Sequence, residues 1–339
     1  MRRLLDYYYS LDFSGELIFC DASDDTVTYD LVASAAKRKR HLIKYQHSLS
    51  RPWESVAECF HLSTSDFAAL TCDDDYLVPT TIEKCITFLA QNPAYSSVHG
   101  KGIIAESRSS SNLIDAVGNY PLPVRPEVTG SLRIVNLGGK YRVNLFAVHC
   151  ASIFRQMCDA SAKFDPEFMC ADWELSQEIL PNFISSVYSK SFELSELYLV
   201  RHLHSGRHQS PKLSEWMASP GWRSSYTYCI MKLGAAIVQV DGCAQSVAEV
   251  IARTSLERYL MGVRRKESFA NGARLKALGA MKLVLELVGL GGIMRTIRDA
   301  LFPKSLDEQV TLDRILDSRH PYHREFMPVL RFFDSVVVP

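Results

Sequence analysis

Apolar and polar positions alternate in short blocks along the first hundred residues, and the blocks predict strands and helices by turns. Residues 4–10 end a helix. Glu16-Leu17-Ile18-Phe19-Cys20 is a compact apolar run of strand type, closed by the polar loop Asp21-Ala22-Ser23-Asp24-Asp25. Residues 28–39 read as a helix whose basic last turn suits the helix dipole. His41-Leu42-Ile43-Lys44-Tyr45 is a second strand, and 55–62 a helix. Phe67-Ala68-Ala69-Leu70-Thr71-Cys72 is a third apolar run, with Asp73-Asp74-Asp75 at its carboxyl end. Thr80 and Thr81 then cap a helix with Ile82, Cys85, Ile86 and Leu89 on one face, and 95–104 form a fourth strand.

Strands alternating with helices predict an α/β fold with a mostly parallel sheet flanked by helices. Such sheets bind ligands outside the carboxyl ends of their strands. Both acidic clusters, 21–25 and 73–75, fall at such ends. Further on, 105–140 read as a Ser/Gly/Pro-rich loop, 141–149 as a strand and 151–160 as a helix. Residues 164–170 are a connection, a helix begins at Asp172, and 185–201 hold one or two short strands. From Trp216 to about Leu301 the pattern is helical. Two regions follow, a catalytic α/β domain over 1–215 and a mainly helical C-terminal region over 216–339.

Composition narrows the classes. The 339 residues are 47% apolar, enough for a full core, and carry 38 basic against 38 acidic side chains. That balance argues against a nucleic-acid binder, whose affinity rests on a basic field. The nine cysteines include no C-x-x-C pair, so a zinc knuckle is not expected and free thiols in a reducing cytosol are. The start shows no signal-peptide pattern. The most apolar long stretch, 275–294, carries Lys276, Lys282 and Glu286 and does not read as a membrane span. A cytoplasmic protein, at most peripheral at a membrane, is the expectation.

Three adjacent carboxylates repel one another, and holding them at a sheet edge calls for a cation. Mg²⁺ or Mn²⁺ there can bridge carboxylate and phosphate oxygens. An acidic turn leading into a helix is the competing reading, since acid near a helix N-terminus is favourable by itself. On the residues alone the two are balanced.

Leu70-Thr71-Cys72-Asp73-Asp74-Asp75-Tyr76-Leu77-Val78-Pro79, followed by a helix and Ser97-Val98-His99-Gly100, resembles the metal-binding segment of family 2 GT-A glycosyltransferases. The resemblance implies a GT-A-like nucleotide-diphospho-sugar transferase fold over about residues 4–215. It also implies a metal, Mn²⁺ or Mg²⁺, that neutralises the donor diphosphate as it leaves. Asp73 and Asp75 match the Asp-x-Asp spacing. Aligning Pro79 with the family's proline instead puts Cys72 at the first acidic position and makes Asp74 a ligand. All three aspartates are therefore candidates, with Asp73 and Asp74 also facing the donor.

Three further segments extend the resemblance. Leu17 to Asp25 resembles the second strand and its donor-contacting loop, with Asp21, Ser23 and Asp24 as candidate contacts for base or ribose; an ordinary polar loop with a helix cap competes. Phe168-Met169-Cys170-Ala171-Asp172-Trp173-Glu174-Leu175 resembles the segment carrying the catalytic base, with Asp172 and Glu174 as candidates to deprotonate an acceptor hydroxyl and Ala171 standing where the family's first acid falls. Tyr198-Leu199-Val200-Arg201-His202-Leu203-His204 resembles a late segment in which a histidine completes the metal site. Here His204, or second to it His202, is the candidate ligand, Arg201 a phosphate contact, and Arg207 and His208 further donors.

The resemblance implies an inverting sugar transfer from a nucleotide-sugar donor, a UDP-sugar first, to a saccharide or lipid-linked acceptor. The family's first strand and its nucleotide-clasping loop have no counterpart before Met1-Arg2-Arg3-Leu4-Leu5, which resembles the helix after that loop. A catalytically impaired sugar- or partner-binding relative is therefore one alternative. A nucleotidyltransferase is another, although no Gly-rich basic loop follows the first strand. The C-terminal helical region could serve as acceptor module, oligomer interface or membrane-surface anchor. Leu283-Val284-Leu285-Glu286-Leu287-Val288, rimmed by Lys276, Lys282, Arg295, Arg298 and Lys304, suits either a lipid surface or a core helix.

Overall fold

A computed structural model describes residues 2–21, 23, 26–37, 43–49, 52–107, 113–161, 178–204, 215, 217–271 and 310–334. The chain opens with α1 (Arg2–Ser10), β1 (Leu17–Asp21), α2 (Val27–Ala36), β2 (Ile43–His47) and α3 (Pro52–Phe60). Then come β3 (Phe67–Ala68), β4 (Asp75–Leu77), α4 (Pro79–Gln91), β5 (Ser97–Glu106) and β6 (Ala116–Asn119). The middle holds α5 (Gly130–Gly139), β7 (Val148–Cys150), α6 (Ala151–Ser161), α7 (Leu180–Tyr188) and β8 (Ser191–Leu203). It closes with α8 (Trp222–Asp241), α9 (Gln245–Asn271), α10 (Leu312–Leu316) and α11 (His323–Asp334).

The fold is mixed α/β, and the expected mostly parallel sheet is corrected. β1 and β2 form a parallel pair of their own. The larger sheet runs β3-β7-β5-β8-β4, with β6 added beside β5. Within it only β5 and β8 are parallel; the β3–β7, β5–β7, β5–β6 and β4–β8 pairs are antiparallel. The reason lies in the connections. A parallel pair needs a long crossover. Helix α2 provides one between β1 and β2, and α5, α6 and α7 lie between β5 and β8.

Local chemistry explains the other departures. The helix after the acidic turn starts at Pro79, not at a threonine cap, because proline's fixed φ suits the first helical position. Thr81 is buried and donates its hydroxyl to the Leu197 carbonyl at 2.6 Å instead. The run expected as strand over 67–72 pairs only at Phe67 and Ala68. Residues 105–140, expected as loop, contain β6 and α5, and 141–149 turns at Leu145 and Phe146 before β7. In place of short strands over 185–201 stand the end of α7, buried through Val187, and the 13-residue β8. Residues 272–301 of the expected helical run lie outside the described residues.

Three hydrophobic clusters hold these layers. One unites α3, α5, α6 and α7 with the α8–α9 hairpin, through Ile134, Met157, Phe183, Leu233 and Leu256. The hairpin turns at Gly242, whose φ of 67° is left-handed and lets its N–H bond the Val238 carbonyl. A second joins α1 and β1 to α10 and α11 through Tyr7, Ile103, Phe326 and Phe333. A third lies under α4, around Cys85, Val98 and Tyr198. Each large side chain fully buried in them contributes about 1.5–3 kcal/mol of transfer free energy. The first two clusters therefore pack elements from both sides of residue 215 together. Cys20 of β1 and Cys59 of α3 lie side by side, their Cα atoms 6.2 Å apart. Cys72, Cys85, Cys150, Cys158, Cys229 and Cys243 are free. Among the described residues no helix is long and apolar enough to cross a membrane.

Candidate functional site

The acidic run sits in a turn. The Asp75 N–H bonds the Cys72 carbonyl at 3.3 Å, and the Thr71 hydroxyl donates to the Asp75 carbonyl at 3.0 Å. Aspartates suit such corners because their side chains satisfy nearby backbone groups. The chain then enters β4, where antiparallel register sets Asp75 opposite Arg201. The three carboxylates diverge in environment: Asp73 is exposed, Asp74 half-buried and Asp75 fully buried.

Arg201 is the anchor of this corner. Its Nε donates to Asp75 Oδ2 at 2.9 Å and its Nη1 to the Tyr120 hydroxyl at 2.8 Å. The guanidinium carbon lies 4.9 Å from the Tyr120 ring centre and 4.7 Å from that of Phe146, within cation–π range. Asp75 Oδ1 is buried and has no hydrogen-bond partner. Burial pushes the Asp75 carboxyl up to about 7, against the pull of Arg201. Glu178, at the described start of the next segment, accepts from the Tyr141 hydroxyl at 3.1 Å, and burial raises its carboxyl too.

Two histidines follow Arg201 and part ways. His202 is buried, its Nε2 3.0 Å from the Ser107 hydroxyl and its ring against Phe333 of α11. Burial pushes its imidazole down to about 4, so it is neutral near pH 7. His204 is partly exposed, with Nε2 3.6 Å from Asp74 Oδ2. Ligand atoms of Cys72, Asp74 and Asp75 lie within 4.8 Å of one another. Burial and the neighbouring carboxylates push the Cys72 thiol up to about 12, so it stays protonated, while the orphaned Asp75 oxygen, the Asp74 carboxylate and the nearby His204 imidazole are donors of the kind a divalent cation takes.

The other acidic loop lies on the separate β1–β2 sheet. Asp21 is buried, and both its oxygens are engaged. Oδ1 accepts from the Ser23 N–H at 3.0 Å and its hydroxyl at 2.6 Å; Oδ2 accepts from the Tyr45 hydroxyl at 2.7 Å. Burial alone would raise this carboxyl, but the Ser23 and Tyr45 bonds hold it below the usual range. Ser23 is held further by His47, whose Nε2 is 3.0 Å from the Ser23 carbonyl. Asp24, Asp172, Glu174, Arg207 and His208 lie outside the described residues.

The structure thus brings Asp74, Asp75, Arg201 and His204 into one corner and sets Asp21 and Ser23 in a self-satisfied loop. Sequence reasoning missed Tyr120 and Phe146. No local motif marks them, because they reach Arg201 from segments with no shared pattern.

No protein-family model and no curated protein matches the sequence. Among solved structures, S. aureus TarS is similar at 15% identity and a TM-score of 0.45, over 76% of this chain and 40% of that one. The structure of S. aureus TarS 1-349 is similar at 15% identity and a TM-score of 0.47, over 81% of this chain and 71% of that one. The chain thus spans well under half the length of the first of these.

Proposed function

We propose that this chain is a metal-dependent, inverting glycosyltransferase of GT-A-like fold. It would move a sugar from a nucleotide-sugar donor, a UDP-sugar first, to a hydroxyl of a saccharide or lipid-linked acceptor. The observation that carries the reading is the orphaned, buried Asp75 Oδ1 beside Asp74, in the segment that resembles the family's metal-binding motif. Asp74 and Asp75 would hold Mn²⁺ or Mg²⁺, with Asp73 and His204 at hand. That ion, when bound, would supply charge neutralisation for the departing diphosphate.

The chain's own residues divide the remaining work. Arg201 keeps its charge and orientation through Asp75, Tyr120 and Phe146, and sets a fixed positive group beside the carboxylates where a diphosphate would lie. Neutral His202 under His204 adds no charge to repel a cation. Asp172 or Glu174 would take the acceptor proton, a role that rests on the motif resemblance alone.

Binding without turnover is the second reading, and one observation favours it. Asp21 spends both oxygens on Ser23 and Tyr45, so it shapes its loop more than it offers acceptors to a base. The deciding measurement is thermal stability with UDP, GDP and CDP and their sugars, with and without Mn²⁺, alongside release of nucleoside diphosphate. A ligand of the folded state raises the melting point. A metal-dependent shift that Asp74→Ala abolishes, with diphosphate release, supports the enzyme. A shift without release supports the binder. No shift with any nucleotide overturns both.

A further inference from the structure

The Tyr120 hydroxyl accepts from Arg201 Nη1 at 2.8 Å, and its own proton is still to be placed. Among the described residues no acceptor takes that proton. Arg201 spends Nε on Asp75 and one Nη1 hydrogen on Tyr120, which leaves Nη2 unspent among the same residues. Both members of one bonded pair thus keep unused donors, half-buried beside Asp75. The fold fixes the phenol there. Tyr120 follows β6, and its N–H bonds the Gly102 carbonyl of β5 at 2.8 Å. That approach needs a glycine, because a Cβ on Gly102 would come 2.5 Å from the Tyr120 carbonyl oxygen.

Burial raises the phenol above its usual value against the pull of Arg201, so it keeps its proton near pH 7 and acts as a donor. A donor polarised by an adjacent guanidinium gains most from an acceptor that carries charge. A neutral sugar hydroxyl makes a weaker bond with it, and an apolar group makes none. Resting on the glycosyltransferase reading, we propose that Tyr120 is a catalytic residue that donates its O–H, beside Arg201 Nη2, to an oxygen of the departing diphosphate. In that step the bond between the anomeric carbon and the diphosphate oxygen breaks, and its electron pair stays on the diphosphate. A bond forms from the acceptor oxygen to the anomeric carbon, and the acceptor's proton goes to the carboxylate serving as base. Tyr120 keeps its own proton throughout. Its hydrogen bond strengthens as negative charge builds on the leaving oxygens, so it lowers the barrier more than it tightens donor binding.

The test compares the whole chain with Tyr120→Phe, which keeps the ring against the guanidinium and removes the hydroxyl alone. The probes are Mg²⁺ alone and Mg²⁺ with inorganic pyrophosphate, which carries diphosphate charge without base or sugar. Both affinities are read by calorimetry. The expected result is an unchanged Mg²⁺ affinity and a pyrophosphate affinity about tenfold weaker in the variant. Equal pyrophosphate affinity in the two proteins would overturn the proposal and leave the glycosyltransferase reading standing. A matching loss of Mg²⁺ affinity would overturn it too, since the hydroxyl would then act through Arg201 and Asp75. Wild-type protein that takes up no pyrophosphate would sink the glycosyltransferase reading together with the proposal. A second measurement keeps the hydroxyl in place: in Tyr120→3-fluorotyrosine the fluorine resonance should move on adding Mg²⁺ with pyrophosphate and not on adding Mg²⁺ alone. A resonance that stays still with pyrophosphate bound would refute the contact.

Discussion

Arg201 and Asp75 face each other across the β4–β8 ladder, bonded at 2.9 Å, with the carboxylate fully buried. The pair joins an acidic turn to the end of the longest strand and leaves one carboxylate oxygen unspent. Removing the guanidinium in Arg201→Met strands a buried carboxyl, which then protonates. We expect a loss of about 3 kcal/mol, the low end for breaking a buried pair. The pH dependence has a defined sign. Asp75 is raised from 3.8 to about 7, so its contribution is fully present below 3.8 and fades as pH climbs towards about 7. In the variant that decline continues above 7. Urea unfolding should show the deficit growing between about pH 7 and about pH 9. A constant deficit would mean that Arg201 does not set the Asp75 proton affinity.

His149 gives the opposite slope. It is fully buried, its Nε2 3.0 Å from the Asn144 carbonyl, and burial pushes its imidazole from 6.5 down to about 4. The unfolded chain therefore binds this proton first. Stability from His149 is complete above 6.5 and is lost as pH falls towards 4, on the order of 3 kcal/mol in all. The difference in unfolding free energy between the wild type and His149→Gln should shrink or reverse across that window. Parallel pH profiles for the two proteins would refute this.

Gly138 and Gly139 adjoin in α5 and should respond in opposite directions. A Cβ on Gly138 would come 2.2 Å from the Ser255 carbonyl oxygen of α9, where backbone must move. Gly138→Ala should cost about 1–3 kcal/mol. A Cβ on Gly139 meets nothing within 4 Å, so Gly139→Ala should be neutral or slightly stabilising through helix propensity. Melting temperatures of the two variants decide the matter.

Asp241, the last residue of α8, caps a different helix. It accepts from the Gly130 and Ser131 N–H groups at 2.8 Å each, at the start of α5. Asp241→Ala should cost about 1–2 kcal/mol, within the range for helix caps. Burial opposes the Asp241 charge, but the Ser131 and Gly130 bonds hold the carboxyl below 3.8. Its contribution is therefore present above 3.8 and lost as pH falls further. Should acid titration of the variant and the wild type run in parallel below 3.8, the cap does not depend on the charge.

Much of the α-helical layer was legible because its faces alternate. α4 and α6 show apolar residues at helical spacing, and both lie within a few residues of expectation. Strand direction was not legible. β4, β6 and β7 are three or four residues long, too short to display a period, and each of the four antiparallel strand pairs contains one of them. α7 misled because its first eight residues, Leu180 to Val187, are buried on every side, which erases the amphipathic signal. The acidic run itself was plain in the sequence, and so was Arg201. What was not plain was their pairing, since only the register of β4 on β8 brings Asp75 to Arg201. Tyr120 and Phe146 complete that corner by tertiary packing alone.

Helix α11 gives the corner a remote handle. Phe333 rests on both Tyr76 and His202, and Phe332 on Tyr7. The floor beneath His204 is thus laid by residues far downstream in the chain. A change confined to that helix, touching no acidic side chain, can tilt the His202–His204 pair and with it the position of His204 beside Asp74. Variation in 323–334 is accordingly where natural or laboratory selection could adjust the site while every candidate ligand stays the same.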